Sequence, residues 1–477
     1  MNDMQVPPRE FLNDRLVYIA LAAIIAAAAF VFLSGITWGL PSRRIDPYLF
    51  GGDPAWTGKR IADLTRRERG RDDHRAADAD VNPLPPTTQP VPVNDTDEKR
   101  AAILLRYRLY SSQPDEMITF MALARMRPAE RDFDPRLYQY GGLFVYPIAG
   151  LLALCSRAGI VTLTSDLVYY LDRPEEFARF YLVARLYVVA FGLAGIPAVY
   201  WLARRLAAEL TAKTDARIVG LAAALLYMLA PVVVNMAHEA KPHLPGAVLT
   251  LFAMLAAVRY VDRGTKRRAV VAGILCGTSL GMVLSCWPAF LLAPLMTWLR
   301  RGPWTTRILH TCLAVGVGAL TYAVTNPYVP INRIRRPDVL RSNFAGVLHY
   351  LRVDPQRASH PAVGREMSRP PSPLEQIKTS LANAADLVCE GTSVSLAAGG
   401  LIGLLAAVTG TARIRCTVQA VPGEKPLQPQ PAVTGLLAGP ALVAFIPFVV
   451  FAGGKPGEYG RFALLPDIAL AVGAALV

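Results

Sequence analysis

The chain has 477 residues, 53% of them hydrophobic and only 18% charged, where soluble domains carry about a quarter. Its apolar residues fall in long runs, which excludes an ordinary water-soluble domain and calls for several passages through a bilayer. The formal charge of +14, from 50 Lys and Arg against 36 Asp and Glu, is grouped between those runs, so it reads as membrane orientation and not as a nucleic-acid surface.

Leu16 to Gly35 carries no charge and, at about 1.5 Å per residue, can cross a hydrocarbon core of roughly 30 Å. Its flank mixes Arg9 and Arg15 with Asp3, Glu10 and Asp14, unlike a cleaved signal peptide, so a retained first helix is expected. Residues 58–80 are charge-dense and 83–92 proline-rich, which predicts a disordered insertion at about 55–98. Helical periodicity returns over 97–127. At 141–160 the residues Phe144, Tyr146, Pro147, Leu151 and Leu152 suit a helix lying in the membrane interface, so interfacial helices are expected at about 99–160.

Further apolar segments follow at 179–203, 216–235, 244–261, 269–285, 288–300, 307–326, 393–412, 433–452 and 463–477. The predicted fold is therefore an all-α polytopic membrane protein of about ten transmembrane helices. Arg204, Arg205, Lys213 and Arg217, then Arg259 to Arg268, Arg300 to Arg307, and Arg413 with Arg415 all fall on one side if each segment crosses once. That side is expected to be cytoplasmic, with 36–178, 236–243, 326–392 and 453–462 outside and 141–160 not crossing. The expected division is a tail and first helix (1–35), a long extracytoplasmic loop (36–178), transmembrane helices (179–326), a second extracytoplasmic loop (327–392) and C-terminal helices (393–477). The last run stops at Val477, so a truncated end is also expected. No internal repeat is visible. The six Cys show no C-x-x-C pair, so neither a zinc site nor a disulfide framework is indicated.

Three clusters carry candidate chemistry. In Ser112-Gln113-Pro114-Asp115-Glu116, followed by Met117, Phe120, Met121 and Ala124, the spacing predicts a helix from Pro114 with two carboxylates at its start. Taken locally, that pattern favours a capping box complementing the helix dipole over catalysis. His238-Glu239-Ala240-Lys241-Pro242-His243 sits between two spans and is either a phosphate- or sugar-gathering turn or a merely solvated one; its His spacing is poor for a metal. Lys455-Pro456-Gly457-Glu458-Tyr459-Gly460-Arg461 offers an arginine for a phosphate, or an anchor snorkelling to headgroups. No glycine-rich nucleotide cradle and no nucleophile elbow is present.

In order along the chain, several short motifs resemble the GT-C superfamily, and within it the protein-mannosyltransferase-like (family 39-type) and aminoarabinose-transferase-like membrane enzymes. They are Gly39-Leu40-Pro41, Pro114-Asp115-Glu116, Asp134-Pro135, Tyr146-Pro147, Ala184-Arg185-Leu186, Ala203-Arg204-Arg205-Leu206, Ala240-Lys241-Pro242-His243, Gly460-Arg461-Phe462 and Leu465-Pro466. The stretch from Pro41 to Asp115 is longer than in that family, and His243 stands where an acid is common. The resemblance implies a GT-C-like bundle and an inverting hexosyl or glycosyl transfer from a polyprenyl-phosphate donor to a lipid, protein or glycan acceptor. It implies Asp115 as catalytic base and Glu116 as its neighbour orienting the acceptor. Lys241, Arg461 and His238 would meet the leaving phosphate, with His243 and Tyr459 lining the substrate site. No definite cofactor is implied, and a divalent cation is left open; the partners are membrane lipids, not nucleic acid. Residue usage leans toward a bacterial inner membrane with the site facing the periplasm. A transporter or flippase, and a scaffold with a decayed site, are the other readings; discontinuous helices and charges at the membrane midplane would favour the transporter.

Overall fold

The computed structural model describes residues 13–50, 55–72, 96–210, 215–300, 302–343, 373–419, 433–452 and 457–477. The chain enters through α1 (Asp14–Leu33), capped by the Asn13 side chain, which accepts from the Arg15 amide at 3.1 Å. A 3-10 turn at Arg43–Tyr48 leads to α2 (Gly58–Asp72) and α3 (Asp97–Leu109). Next come α4 (Glu116–Arg125), α5 (Gly142–Arg157), the short α6 (Leu167–Asp172) and α7 (Pro174–Leu210), a helix of 37 residues. Two helices, α8 (Ala216–Leu229) and α9 (Pro231–Ala237), precede α10 (His243–Arg263), which Gly264 ends at a φ of +61°. Then α11 (Lys266–Met282), a 3-10 stretch Leu284–Leu291, α12 (Leu292–Leu299), α13 (Trp304–Thr325) and α14 (Tyr328–Arg335) follow. The last described elements are α15 (Pro373–Thr392), α16 (Val394–Gln419), α17 (Val433–Ala452), a 3-10 turn Gly457–Ala463 and α18 (Leu464–Ala474). Among the described residues the only strand-like pairings are two isolated bridges. The fold is all-helical.

Every apolar run of the sequence lies on a helix. Among the described residues, five helices are long and apolar enough to cross a membrane: α1, α7, α10, α13 and Val433–Val450 of α17. The count rises to seven if α8 with α9, bent by 58°, and Ile377–Thr392 with Val394–Gly410, bent by 103°, are each one span. The first bend falls at Pro231, which has no N–H to give the preceding turn. The expected span at 463–477 corresponds to α18, and those at 269–285 and 288–300 correspond to helices short of a full crossing. There α11 stops where Val283 adopts extended backbone, and Pro288 lies in the 3-10 stretch that follows.

One sequence expectation is corrected. Residues 58–72, placed in the disordered insertion, form α2. Charge density hid a sparse inward face: Ile61 is fully buried, with Trp56, Ala62 and Thr65 nearly so. The Arg60 guanidinium sits 4.0 Å over the Trp56 ring, and the Gly58 amide donates to Asp172 at 2.7 Å. Residues 73–95 of that insertion, including the proline-rich run, lie outside the described residues, as does 344–372 of the second loop.

Two groups of charges mark opposite ends of α10. At its Arg263 end, Arg205 of α7 donates to Asp262 at 2.8 Å, and Arg300 donates to the Val261 carbonyl at 2.6 Å. The starts of α1 and α8 join through Asp14 and Arg217 at 3.0 Å. At its His243 end lies the acid–base cluster described next. The 21 residues of α10 separate them by about 30 Å.

Candidate functional site

A buried ion pair builds the floor of the site. Glu116, the first residue of α4, is fully buried. It accepts from Arg185 of α7 through Nε at 2.9 Å and Nη2 at 2.7 Å, from the Ala240 amide at 2.5 Å, and from the Ser111 hydroxyl. Arg185 is 2% exposed and spends its remaining nitrogen, Nη1, on the carbonyls of Ile36 at 2.6 Å and Trp38 at 2.9 Å. One pair of charges therefore ties together the segment after α1, the 111–116 loop, α7 and the turn before α10. Two charges out of water persist only when hydrogen bonds of this number surround them. The Gly39-Leu40-Pro41 turn is fastened to the same loop: the Ser112 amide donates to the Gly39 carbonyl at 2.8 Å, and Gly39 has a φ of +66°. That conformation suits glycine, and a Cβ there would collide with the Ser112 side chain.

Asp115 stands on this floor with its side chain 27% exposed. It occupies the N-cap position of α4 but makes no capping hydrogen bond, so the local capping-box reading does not describe it. Its Oδ2 instead accepts from Arg461 Nη1 at 2.5 Å and lies 3.8 Å from Lys241 Nζ. Lys241, 1% exposed, also faces Glu239 Oε2 at 2.9 Å and Gln113 Oε1 at 3.5 Å. Two carboxylates and two cations thus alternate at the end of the bundle. Burial opposes the Arg461 charge, but Tyr140, Asp115 and Glu239 outweigh it and hold its pKa above the ordinary value. Tyr140 is raised chiefly by its own burial.

The sequence-predicted residues divide accordingly. Asp115, Lys241 and Arg461 come together. His243 lies beside them, buried, edge-on to Tyr140 and to Phe462 with ring centres 6.0 and 5.3 Å away. Two expectations are corrected. Glu116 has no exposed surface with which to touch an acceptor, because four donors enclose it. His238 turns from the cluster: its ring nitrogens lie 2.7 Å from the Val234 and Ser34 carbonyls, fastening α9 to the end of α1. Tyr459 belongs to a 3-10 turn, and its side chain lies outside the described residues.

Sequence reasoning missed Tyr140 as a part of the site, and it named Arg185 and Glu239 only within short motifs, with no role for either. Arg185 gave a signal, since a charge near the head of an apolar run demands a partner. Asp467 was missed too. It is fully buried in α18, neither oxygen has a hydrogen-bond partner among the described residues, and it abuts Gly391 of α15. The Asp134-Pro135 motif is structural. Asp134 is buried and accepts from Asn332 of α14 at 2.6 Å and from Tyr138 at 3.2 Å.

Among the described residues no three His, Cys, Asp or Glu side chains gather as a metal site would require. The carboxylates that are close, Asp115 and Glu239, already face Arg461 and Lys241. Among the described residues, that donor set does not fit a divalent ion.

No family model matches the chain, and no curated protein does. Among solved structures it is similar to the crystal structure of ArnT from Cupriavidus metallidurans bound to undecaprenyl phosphate. The identity is 15%, the match covers 78% of this chain and 58% of that one, and the TM-score is 0.41. The chain spans less than two thirds of that protein's length, and the likeness is too loose to assign residues or chemistry.

Proposed function

We propose that this protein is a membrane glycosyltransferase with a GT-C-like bundle, moving a sugar from a polyprenyl-phosphate donor to an acceptor hydroxyl or amine. The observation that carries the reading is Asp115, half-sheltered at the end of the helical bundle between Arg461 and Lys241. A donor of this class brings a lipid tail that a bundle of apolar helices accommodates and a phosphate that needs cations. When the phosphate takes Arg461 and Lys241, Asp115 is released as the group with an open lone pair. The acceptor oxygen attacks the anomeric carbon and its proton passes to Asp115. The bond from that carbon to the phosphate oxygen breaks, and both electrons leave with the phosphate, whose charge the two cations meet. Attack opposite the leaving group inverts the anomeric centre. Glu116 and Arg185 are positioning residues beneath this chemistry. We place the site on the extracytoplasmic face, periplasmic in a bacterial inner membrane.

The test is to offer membranes holding the protein a panel of polyprenyl-phosphate sugars and read the products by mass spectrometry. Transfer by the parent and its loss in Asp115→Asn support the proposal; transfer unchanged by that substitution removes the base.

A second reading, a transporter or flippase, is favoured by the two bent helix pairs and by the enclosed carboxylate of Asp467, features that substrate pathways share. Under it, Asp467→Ala abolishes movement of the substrate across vesicles while no new glycoside forms. Under the transferase reading the same substitution leaves sugar transfer in place.

A further inference from the structure

At the other end of α10 lies a groove that the transfer chemistry does not use. It runs between α7, α10 and α11 with a volume of about 770 Å³, within the size range of small-molecule sites. Its inner part is apolar, lined by Phe252 and Leu275, with Trp201 and Val271 at 41% and 43% exposure toward the outside of the bundle. Its rim is basic: Arg259, Arg263, Arg267 and Arg268 all line it. Phe252 and Arg259 are seven positions apart on α10, as are Leu275 and Arg268 on α11, so the groove extends about 10 Å from the guanidinium rim along the helices.

The charge there is uncompensated by the turn itself. Residues 259–268 hold Arg259, Arg263, Lys266, Arg267 and Arg268 against a single acid, Asp262, and Asp262 is engaged by Arg205 at 2.8 Å. Arg268 is fixed by donating to the Arg259 carbonyl at 2.6 Å, which presents its remaining nitrogens at the rim. Charges that only set orientation have no need of a cavity between helices. Here the cations sit at the mouth of one whose depth is apolar, and whose walls are the ends of two membrane-spanning helices and the first turns of α11.

We infer that this groove is a second lipid site, taking an anionic phospholipid whose phosphate is held by Arg259, Arg263, Arg267 and Arg268 and whose acyl chain lies over Phe252, Val271 and Leu275. Basic pockets between helices at a membrane surface have the matching charge and shape for such headgroups. The site is separate from the Asp115 cluster, being at the opposite end of α10, and stands whether or not that cluster transfers sugar.

The test uses the full chain in detergent, stripped of lipid and titrated with phosphatidylglycerol or phosphatidylcholine, with bound lipid read by native mass spectrometry. One phosphatidylglycerol is retained at about tenfold or more higher affinity than phosphatidylcholine, and excess glycerol phosphate does not displace it. Replacing the four arginines by glutamine removes this preference. Val271→Trp, which fills the groove and leaves every arginine, weakens retention to a similar extent. Equal retention of the two lipids, displacement by glycerol phosphate, or undiminished binding in either variant overturns the inference. A measurement on nearly native protein guards against a misfolded variant. Phosphatidylglycerol brominated in its acyl chain quenches a part of the tryptophan fluorescence that is missing in Trp201→Phe; equal quenching in parent and Trp201→Phe also overturns it.

Discussion

Asp115 and Glu116 are neighbours in sequence with opposite surroundings: one half-sheltered against Arg461 and Lys241, the other sealed onto Arg185. Their substitutions should therefore separate. Glu116→Gln leaves a buried guanidinium uncompensated and should cost about 3–5 kcal/mol, read as a lowered melting midpoint in detergent. Asp115→Asn keeps a polar side chain beside Arg461, and Lys241 keeps Glu239, so it should cost less, about 1–3 kcal/mol. Equal losses in the two variants would contradict the division between floor and chemistry. Asp467 gives a third prediction at this scale. Its enclosed oxygens lack partners among the described residues, so Asp467→Ala should raise the midpoint, by about 1 kcal/mol; a fall would show that the carboxylate is satisfied. The charged residues at span ends were visible in the sequence as candidates. What was not visible is which acid meets which base, because Glu116 and Arg185 approach from 69 positions apart and Asp115 and Arg461 from 346. Only the folded chain decides those pairings.

At the scale of elements, periodicity and apolar length located the helices, because burial in lipid and burial in protein both demand them. The α2 helix escaped notice since three or four inward residues among many charges leave the average composition polar. Bends and breaks escaped as well: α8 and α9 read as one run, although Pro231 divides them. One interface was written in the sequence as small residues. Gly273 and Gly277 of α11 face Ala314 and Gly318 of α13 so closely that a Cβ at either would collide with a backbone carbonyl across the interface. Association of helices in lipid depends on such approach. Gly277→Leu is expected to destabilise the protein by about 1–3 kcal/mol and to lower its yield as a monodisperse species in detergent. A variant as stable as the parent would contradict the close packing of α11 on α13.

For the whole molecule, the two ends of α10 define the account. The basic turns collected around Arg205, Asp262 and Arg300 lie at one end and the Asp115 cluster at the other, the arrangement that the positive-inside tendency anticipates for a single cytoplasmic face. A reporter inserted after residue 90 should report an extracytoplasmic position, and a cytoplasmic signal there would contradict the orientation. The number of crossings was less legible, since hydropathy counts runs and cannot tell a full span from a helix such as α11 that stops short. The central claim is that Asp115 accepts the acceptor's proton while Arg461 holds the departing phosphate. Its most direct measurement is steady-state sugar transfer from a polyprenyl-phosphate donor by the parent, Asp115→Asn and Arg461→Gln. The account predicts that Asp115→Asn lowers kcat by about 100- to 10,000-fold with little change in donor KM, while Arg461→Gln raises donor KM as well as lowering kcat. A kcat for Asp115→Asn equal to that of the parent would contradict it.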